Sequence, residues 1–117
     1  MEPIYNRRGA VIAWKNDNII HNLRGQPIAF MNGNNVTSYR GRHLGIIDRG
    51  FFRDHQGGVI AFMRGASGGP IPPIPSIPPV PPIPAIPPIP PIPPIPPIPA
   101  VPSLGWSNID WDEFIAG

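Results

Sequence analysis

Arg8, Arg24, Arg40 and Gln56 recur at sixteen-residue intervals, each directly before a glycine. Guanidinium groups held in register could ring one rim of a repeating fold, and the planar fork of Arg suits phosphate and carboxylate. The chemistry to expect from this column is capture of a small anion or an anionic lipid head group. The alternative is four ordinary polar turn positions. His21, His43 and His55 fall in three different columns of the same repeat, so the repeat does not gather them into one ring. No pair of them has helical metal-ligand spacing, and no glycine-rich phosphate loop opens a helix. With no Cys in the chain, thiolate metal sites, disulfides and Cys nucleophiles are excluded. The expectation is no catalytic residue, no metal site, no cofactor and no enzyme.

The elements that carry these residues come from one unit written four times between Ile4 and Ser67. One column reads Gly9, Gly25, Gly41, Gly57; others read Ile12, Ile28, Leu44, Ile60 and Trp14, Phe30, Ile46, Phe62. Asn6, Asn22, Ser38 and Asp54 stand three residues before each glycine. That is the spacing of a tight turn opened by a side-chain acceptor and closed by Gly at positive φ. Each unit therefore predicts a β-hairpin, with turn-prone Asn16-Asp17-Asn18, Asn32-Gly33-Asn34-Asn35 and Asp48-Arg49-Gly50 joining one hairpin to the next. Alternation puts Ile12 and Trp14 on one face of the second strand, and the small column Ala13, Ala29, Gly45, Ala61 on the other. Four small residues at one level suggest backbones converging on a common axis. The predicted core is Ile4, Ile12, Trp14, Ile20, Ile28, Phe30, Val36, Leu44, Ile46, Phe52, Ile60 and Phe62. It suffices only if the ring of hairpins closes, which also removes its two exposed edges.

Four consecutive hairpins with Asn/Asp-x-x-Gly turns and Ile-Ala-aromatic strands resemble the four-fold β-flower proteins. The resemblance covers residues 1–67 and implies an all-β fold, a shallow radial barrel of hairpin petals. The shape of that family has been likened to a lipid-binding domain, which implies anionic lipid as a ligand class for Arg8, Arg24 and Arg40. The third copy departs from the pattern, with His43, Gly45 and Ile46 in place of an apolar residue, Ala and an aromatic. Through Tyr5-Asn6-Arg7-Arg8-Gly9 the units also resemble, more weakly, the YD repeats of large bacterial surface proteins.

Composition divides the chain into residues 1–67, 68–102 and 103–117. Every Lys and Arg lies at or before Arg64, so the hairpins carry +5 and the remainder, with Asp110, Asp112 and Glu113, carries −3. All but Pro3 and Pro27 of the 21 prolines fall between Pro70 and Pro102. There Ile or Val occupies every third position from Ile71 to Val101, always followed by Pro. Polyproline II, with three residues per turn, would align these side chains in one stripe and reach about 100 Å if extended. Slippage of a Pro-Pro-Ile coding repeat would write the same stripe. Such a tract, joined through Gly68-Gly69, reads as a semi-rigid spacer of which only Ile71 to about Val80 would touch the hairpins. No Arg or Lys flanks it, which disfavours a partner of the SH3 type.

In the last segment Ser107-Asn108-Ile109-Asp110 resembles a capping box for a short helix. Trp106, Ile109, Trp111, Phe114 and Ile115, interleaved with acidic residues, read as a docking peptide for a protein partner, or as a tail that folds back on the basic hairpins. Nucleic acid is disfavoured, because the basic charge is modest and the aromatics belong to core columns. No transmembrane stretch and no signal-peptide pattern is seen, which makes cytoplasmic the default expectation. The functional expectation is a non-enzymatic interaction or adaptor protein. The alternative is an anion- or lipid-binding module.

Overall fold

The computed structural model describes residues 1–117. Eight strands follow in order: β1 (Glu2–Tyr5), β2 (Val11–Asn16), β3 (Ile19–His21), β4 (Pro27–Asn32), β5 (Asn35–Ser38), β6 (His43–Asp48), β7 (Phe51–Arg53) and β8 (Val59–Phe62). Each pairs antiparallel with its neighbour in sequence, and β8 returns to β1 to close a barrel. Closure is narrow. It rests on the one pair Tyr5–Phe62, whose rings stack at 5.3 Å, and on Arg64, which donates to the Tyr5 hydroxyl.

The turns form as their chemistry requires. The Asn6 side-chain oxygen accepts from the backbone N–H groups of Arg8 and Ala10, Asn22 from Arg24 and Gln26, and Asp54 from Gln56 and Gly58. The repeated glycines sit at φ +83 to +86, the left-handed region that only glycine enters without a Cβ penalty.

One expectation about the strands is corrected. A β-bulge recurs in all four hairpins, for example where Ile4 pairs Ala13 but Tyr5 pairs Val11. The extra residue is Ile12 and its equivalents, so Ile12 and Ala13 both pack toward the interior instead of alternating. Trp14 and its column consequently lie outside the central cluster. Inside, a large residue faces a small one across each hairpin: Ile4–Ala13, Ile20–Ala29, Val36–Gly45 and Phe52–Ala61. The small column does not mark backbones meeting at a common axis, because the space beside it is occupied by Trp111 and Phe114. Of the predicted core, Ile12 and Ile28 are only partly buried, and so is Ile46.

The small column leaves room at the centre, and the last segment fills it. Helix α1 (Trp111–Ala116) drops Trp111 and Phe114 into the central cluster, where Trp111 meets Phe52 edge-on at 5.5 Å. A Cβ on Gly45 would run into the backbone carbonyl oxygen of Arg53 and lie 2.8 Å from the Phe114 ring, which accounts for Gly in place of Ala in this copy. The helix begins later than the capping-box reading placed it. Asp110 is the N-cap, accepting from Glu113 N–H. Ser107 is not the helix cap: its hydroxyl donates to Asp54 and accepts from Ile109 N–H, ahead of the helix, and its backbone N–H bonds the Val59 carbonyl beside a short parallel bridge.

The proline tract contains no helix or strand, and it does not project. It runs around the outside of the barrel and meets every repeated glycine in turn. The nearest residues are Pro73-Ile74 at Gly9, Pro82-Ile83 at Gly25, Pro91 at Gly41 and Ala100-Val101 at Gly57. A nine-residue interval would be three turns of a chain with three residues per turn, and three such intervals link the four petals. Ser76 and Ser103 are 27 residues apart. At ~3.1 Å per residue they span about 84 Å, three-quarters of the perimeter of a disc 36 Å across. The expectation of contact ending near Val80 is therefore wrong. A projecting rod would have exposed all its faces, whereas this tract is partly buried along its course, at Pro73, Pro82, Pro91 and Ala100 among others.

Candidate functional site

The interruptions in the proline pattern explain how the belt is held. Ser76 N–H donates to the Gly9 carbonyl at 2.9 Å, Ala85 N–H to Gly25 at 2.9 Å and Ser103 N–H to Gly57 at 3.1 Å. At the positions equivalent to Ser76, Ala85 and Ser103 a proline would have no N–H, so this latch can form only where proline is replaced. Residue 94, the equivalent position at the third petal, is proline, and no such bond forms there. Gly41 is accordingly half-buried, and a Cβ on it would stand 3.8 Å from Pro91, against 2.7 Å from Ile74 at Gly9.

Arg53 closes the belt. It is 1% exposed and occupies the column filled elsewhere by Tyr5, His21 and Thr37. Nη1 donates to the carbonyls of Gly57 and Ser103, each at 2.7 Å, and Nη2 to the carbonyl of Gly68 at 2.9 Å. One guanidinium therefore grips both ends of the tract. Burial pushes its pKa down while Asp48, 3.7 Å from Nε, pushes it back up. Sequence reasoning missed this residue, and the available signal was a lone charge in an otherwise uncharged column.

In the stripe that carries every departure from proline, Pro73, Pro82, Pro91, Pro94, Ala100 and Ser103 are partly buried, while Ser76 and Ala85 are exposed and reach the barrel through their backbone N–H groups. The Ile and Val stripe faces away. All eleven of these side chains are 86–95% exposed, and residues 70–102 contain no ionisable group. The result is a continuous apolar edge around the disc.

Arg8, Arg24 and Arg40 are exposed on three turn tips, and none is in an ion pair. They are not equivalent. Arg8 lines a cavity of about 310 Å³ with Asp110 and Glu113, while Arg40 shares another with Arg42, Ile115 and Ala116. Arg42 donates to the Gly117 carbonyl at 2.7 Å. Acidic tail and basic turns thus face each other. The residues read as a docking peptide are seated on this chain's own barrel. Trp111 and Phe114 are buried, Ile109 and Ile115 pack against the central cluster, and Trp106 packs edge-on against Phe62.

The histidines are brought together more than their columns implied. His43 Nδ1 and His55 Nε2 are 2.9 Å apart, and His43 Nε2 bonds the Asn35 side-chain oxygen. That oxygen can only accept, so His43 carries its proton on Nε2 and His55 donates to Nδ1. The pair opens on a groove of about 360 Å³ between barrel and belt, lined also by Pro97, Ile98 and Ala100. His21 is apart, its Nδ1 bonded to Gly25. No group of three metal-ligating side chains is present.

A central plug, four bulged hairpins and a nine-residue belt register make the whole chain one structural unit. The model of the family described as 4-fold beta flower protein matches residues 2–115. This chain belongs to the four-fold β-flower family. The match extends well beyond the hairpins of residues 1–67, in keeping with a β-flower whose belt and plug are structural parts. No curated protein and no solved structure matches it. No helix of this β-flower protein is long and apolar enough to cross a membrane.

Proposed function

We propose that this β-flower chain is a non-enzymatic interaction protein whose contact surface is the outer edge of the belt. The observation that carries the reading is the row of eleven exposed Ile and Val side chains with no charge among them. A soluble chain rarely leaves a contiguous apolar patch of more than a few hundred Å² open to water unless something binds it. Polyproline II is the conformation that accounts for both the nine-residue register and the outward stripe, and it presents its side chains with little entropy left to lose. The peptide of residues 103–117 serves here as the barrel's own plug. In this reading it is not the part offered to a partner.

A photo-reactive side chain placed at Ile86 on the edge, or at Leu23 on an exposed turn tip, tests this directly. Irradiation of the intact protein in an extract of its source cells should give discrete adducts from position 86 and not from 23. Equal labelling at both sites, or none at either, overturns the reading.

A second reading rests on Arg8, Arg24 and Arg40, exposed and free of ion pairs: capture of anionic lipid head groups or small anions. Sedimentation with phosphatidylserine-containing vesicles should then be salt-sensitive and lost in the triple Arg→Ala variant. Failure of the wild type to bind at low salt dismisses it.

A further inference from the structure

The four-fold repeat is broken most at one place. His43, Gly45 and Ile46, the departures of the third copy, all line the groove between barrel and belt, with His55 of the fourth copy beside them. The belt side of that groove is Pro97, Ile98, Pro99 and Ala100, just beyond Pro94, where no latch forms. We infer that His43 Nδ1 and His55 Nε2 are the two ligands of a site for a soft monovalent cation, Cu(I). The inference stands apart from the apolar edge and from the arginine tips.

The ring geometry carries it. The facing nitrogens are 2.9 Å apart, the ring centroids 5.1 Å, and the ring planes are 15° from parallel. A centroid separation close to the nitrogen gap plus one ring radius at each end means that the rings meet edge to edge, nearly in one plane. The lone pair of His43 Nδ1 therefore lies along the line to His55 Nε2. Asn35 decides which nitrogen of His43 carries that lone pair. The Asn35 amide nitrogen donates to the Asn32 carbonyl, which turns the amide oxygen toward His43 Nε2 at 2.9 Å. Metal-binding histidines are commonly oriented by an acceptor of this kind on the far nitrogen. Without an ion, the Nε2 proton of His55 fills the gap. When the ion enters, His55 gives up that proton and takes one at Nδ1, so its tautomer changes and no net proton is released. Metal–imidazole bonds of ~2 Å on each side need a gap of ~4 Å, so the nitrogens must part by about 1 Å. His55 is exposed and can withdraw without disturbing the core.

The donor count selects the ion. Zinc takes four ligands, and calcium and magnesium take oxygen cages. The carboxylate in this groove is already committed, because Asp54 accepts from Gln56, Gly58 and Ser107. No third His, Asp or Glu completes a metal-binding group around the pair. Copper accepts imidazole, and two nitrogens in line satisfy its monovalent ion, whose filled d shell favours linear coordination. The apolar wall of Ile46, Pro97 and Pro99 suits a single charge better than a double one, since desolvation cost rises with charge.

Anaerobic titration of the full chain with Cu(I), in competition with a chromogenic Cu(I) chelator, is the test. One equivalent per chain should be held, with an X-ray absorption edge typical of a linear ion bound by two nitrogens. His55→Gln should bind at least tenfold more weakly while folding as the wild type does. A second measurement needs no variant. Cu(I) is diamagnetic, so nitrogen NMR of the wild type should show the His55 proton moving from Nε2 to Nδ1. A wild type that holds no equivalent overturns the inference, as do histidine nitrogens that the ion leaves unchanged. Undiminished binding by His55→Gln overturns it too, handing the ion to the thioethers of Met1, Met31 or Met63. One equivalent of Zn(II) held through these histidines, with Cu(I) not held, overturns the choice of ion.

Discussion

Arg53 Nη1 lies 2.7 Å from the carbonyl oxygen of Ser103, fifty residues further along the chain, and Nη2 of the same side chain bonds Gly68. The two ends of a belt that circles the barrel are thus joined through one buried cation. Charge-assisted hydrogen bonds of this kind contribute more than neutral ones. Arg53→Met should lower stability by about 2–4 kcal/mol. Arg53→Lys should recover only part of that, because an ammonium cannot reproduce the fork. Thermal melts of the three proteins decide the matter; a lysine variant as stable as the wild type would remove the clasp from the account.

The latches predict unequal effects at equivalent positions. Ala85→Pro deletes the N–H that bonds Gly25 and should cost about 1–3 kcal/mol, whereas Ser76→Ala keeps its N–H and should be nearly neutral. Pro94→Ala supplies the missing donor opposite Gly41. Its net effect on stability should be small, because the added bond is offset by the lost rigidity of proline. The informative measurement is amide exchange. A protected N–H at residue 94 is expected, and rapid exchange there would mean the third petal does not engage the belt.

Much of this was legible in the sequence, and the limits have physical causes. The hairpins and their turns follow from local residue chemistry, whereas the small column of Ala13, Ala29, Gly45 and Ala61 reads in the sequence as an axis when it makes room for Trp111 and Phe114. The bulge was not legible, because inserting Ile12 between two paired positions leaves the apolar pattern intact while rotating Trp14 outward. The belt was hidden for a different reason. Its register is set by distance around a closed ring, and only the breaks at Ser76, Ala85 and Ser103, nine and eighteen residues apart, record it. Ser107 was misread as the helix cap because its hydroxyl does accept locally, from Ile109 N–H, while its other bond, to Asp54, spans 53 residues.

The plug should behave as core. Phe114→Ala removes a ring that is 2% exposed and packs on Trp111, and should cost about 3–5 kcal/mol. Truncation after Pro102 should destabilise by at least as much. Wild-type melting in either protein would show that the barrel folds without its plug.

Acidification should weaken the third petal. His43 is held below its ordinary value of 6.5, first by burial and then by His55. The unfolded chain therefore binds the proton more readily than the folded one. This contribution is complete above about pH 6.5 and is lost as pH falls through the lower folded value. The melting temperature should drop from about pH 7 to about pH 5, with a shallower slope in His43→Asn. An identical slope in the variant would place the pH dependence elsewhere.

The central claim is that residues 70–102 encircle the barrel. Small-angle X-ray scattering, extrapolated to infinite dilution so that contacts between molecules are absent, measures this without any substitution. The belt predicts a radius of gyration close to the 13.2 Å of the Cα trace, allowing a small increment for side chains and hydration, and a largest dimension near that of the disc. A projecting tract would add a rod of about 100 Å and carry the largest dimension far beyond the disc, and that result would contradict the account.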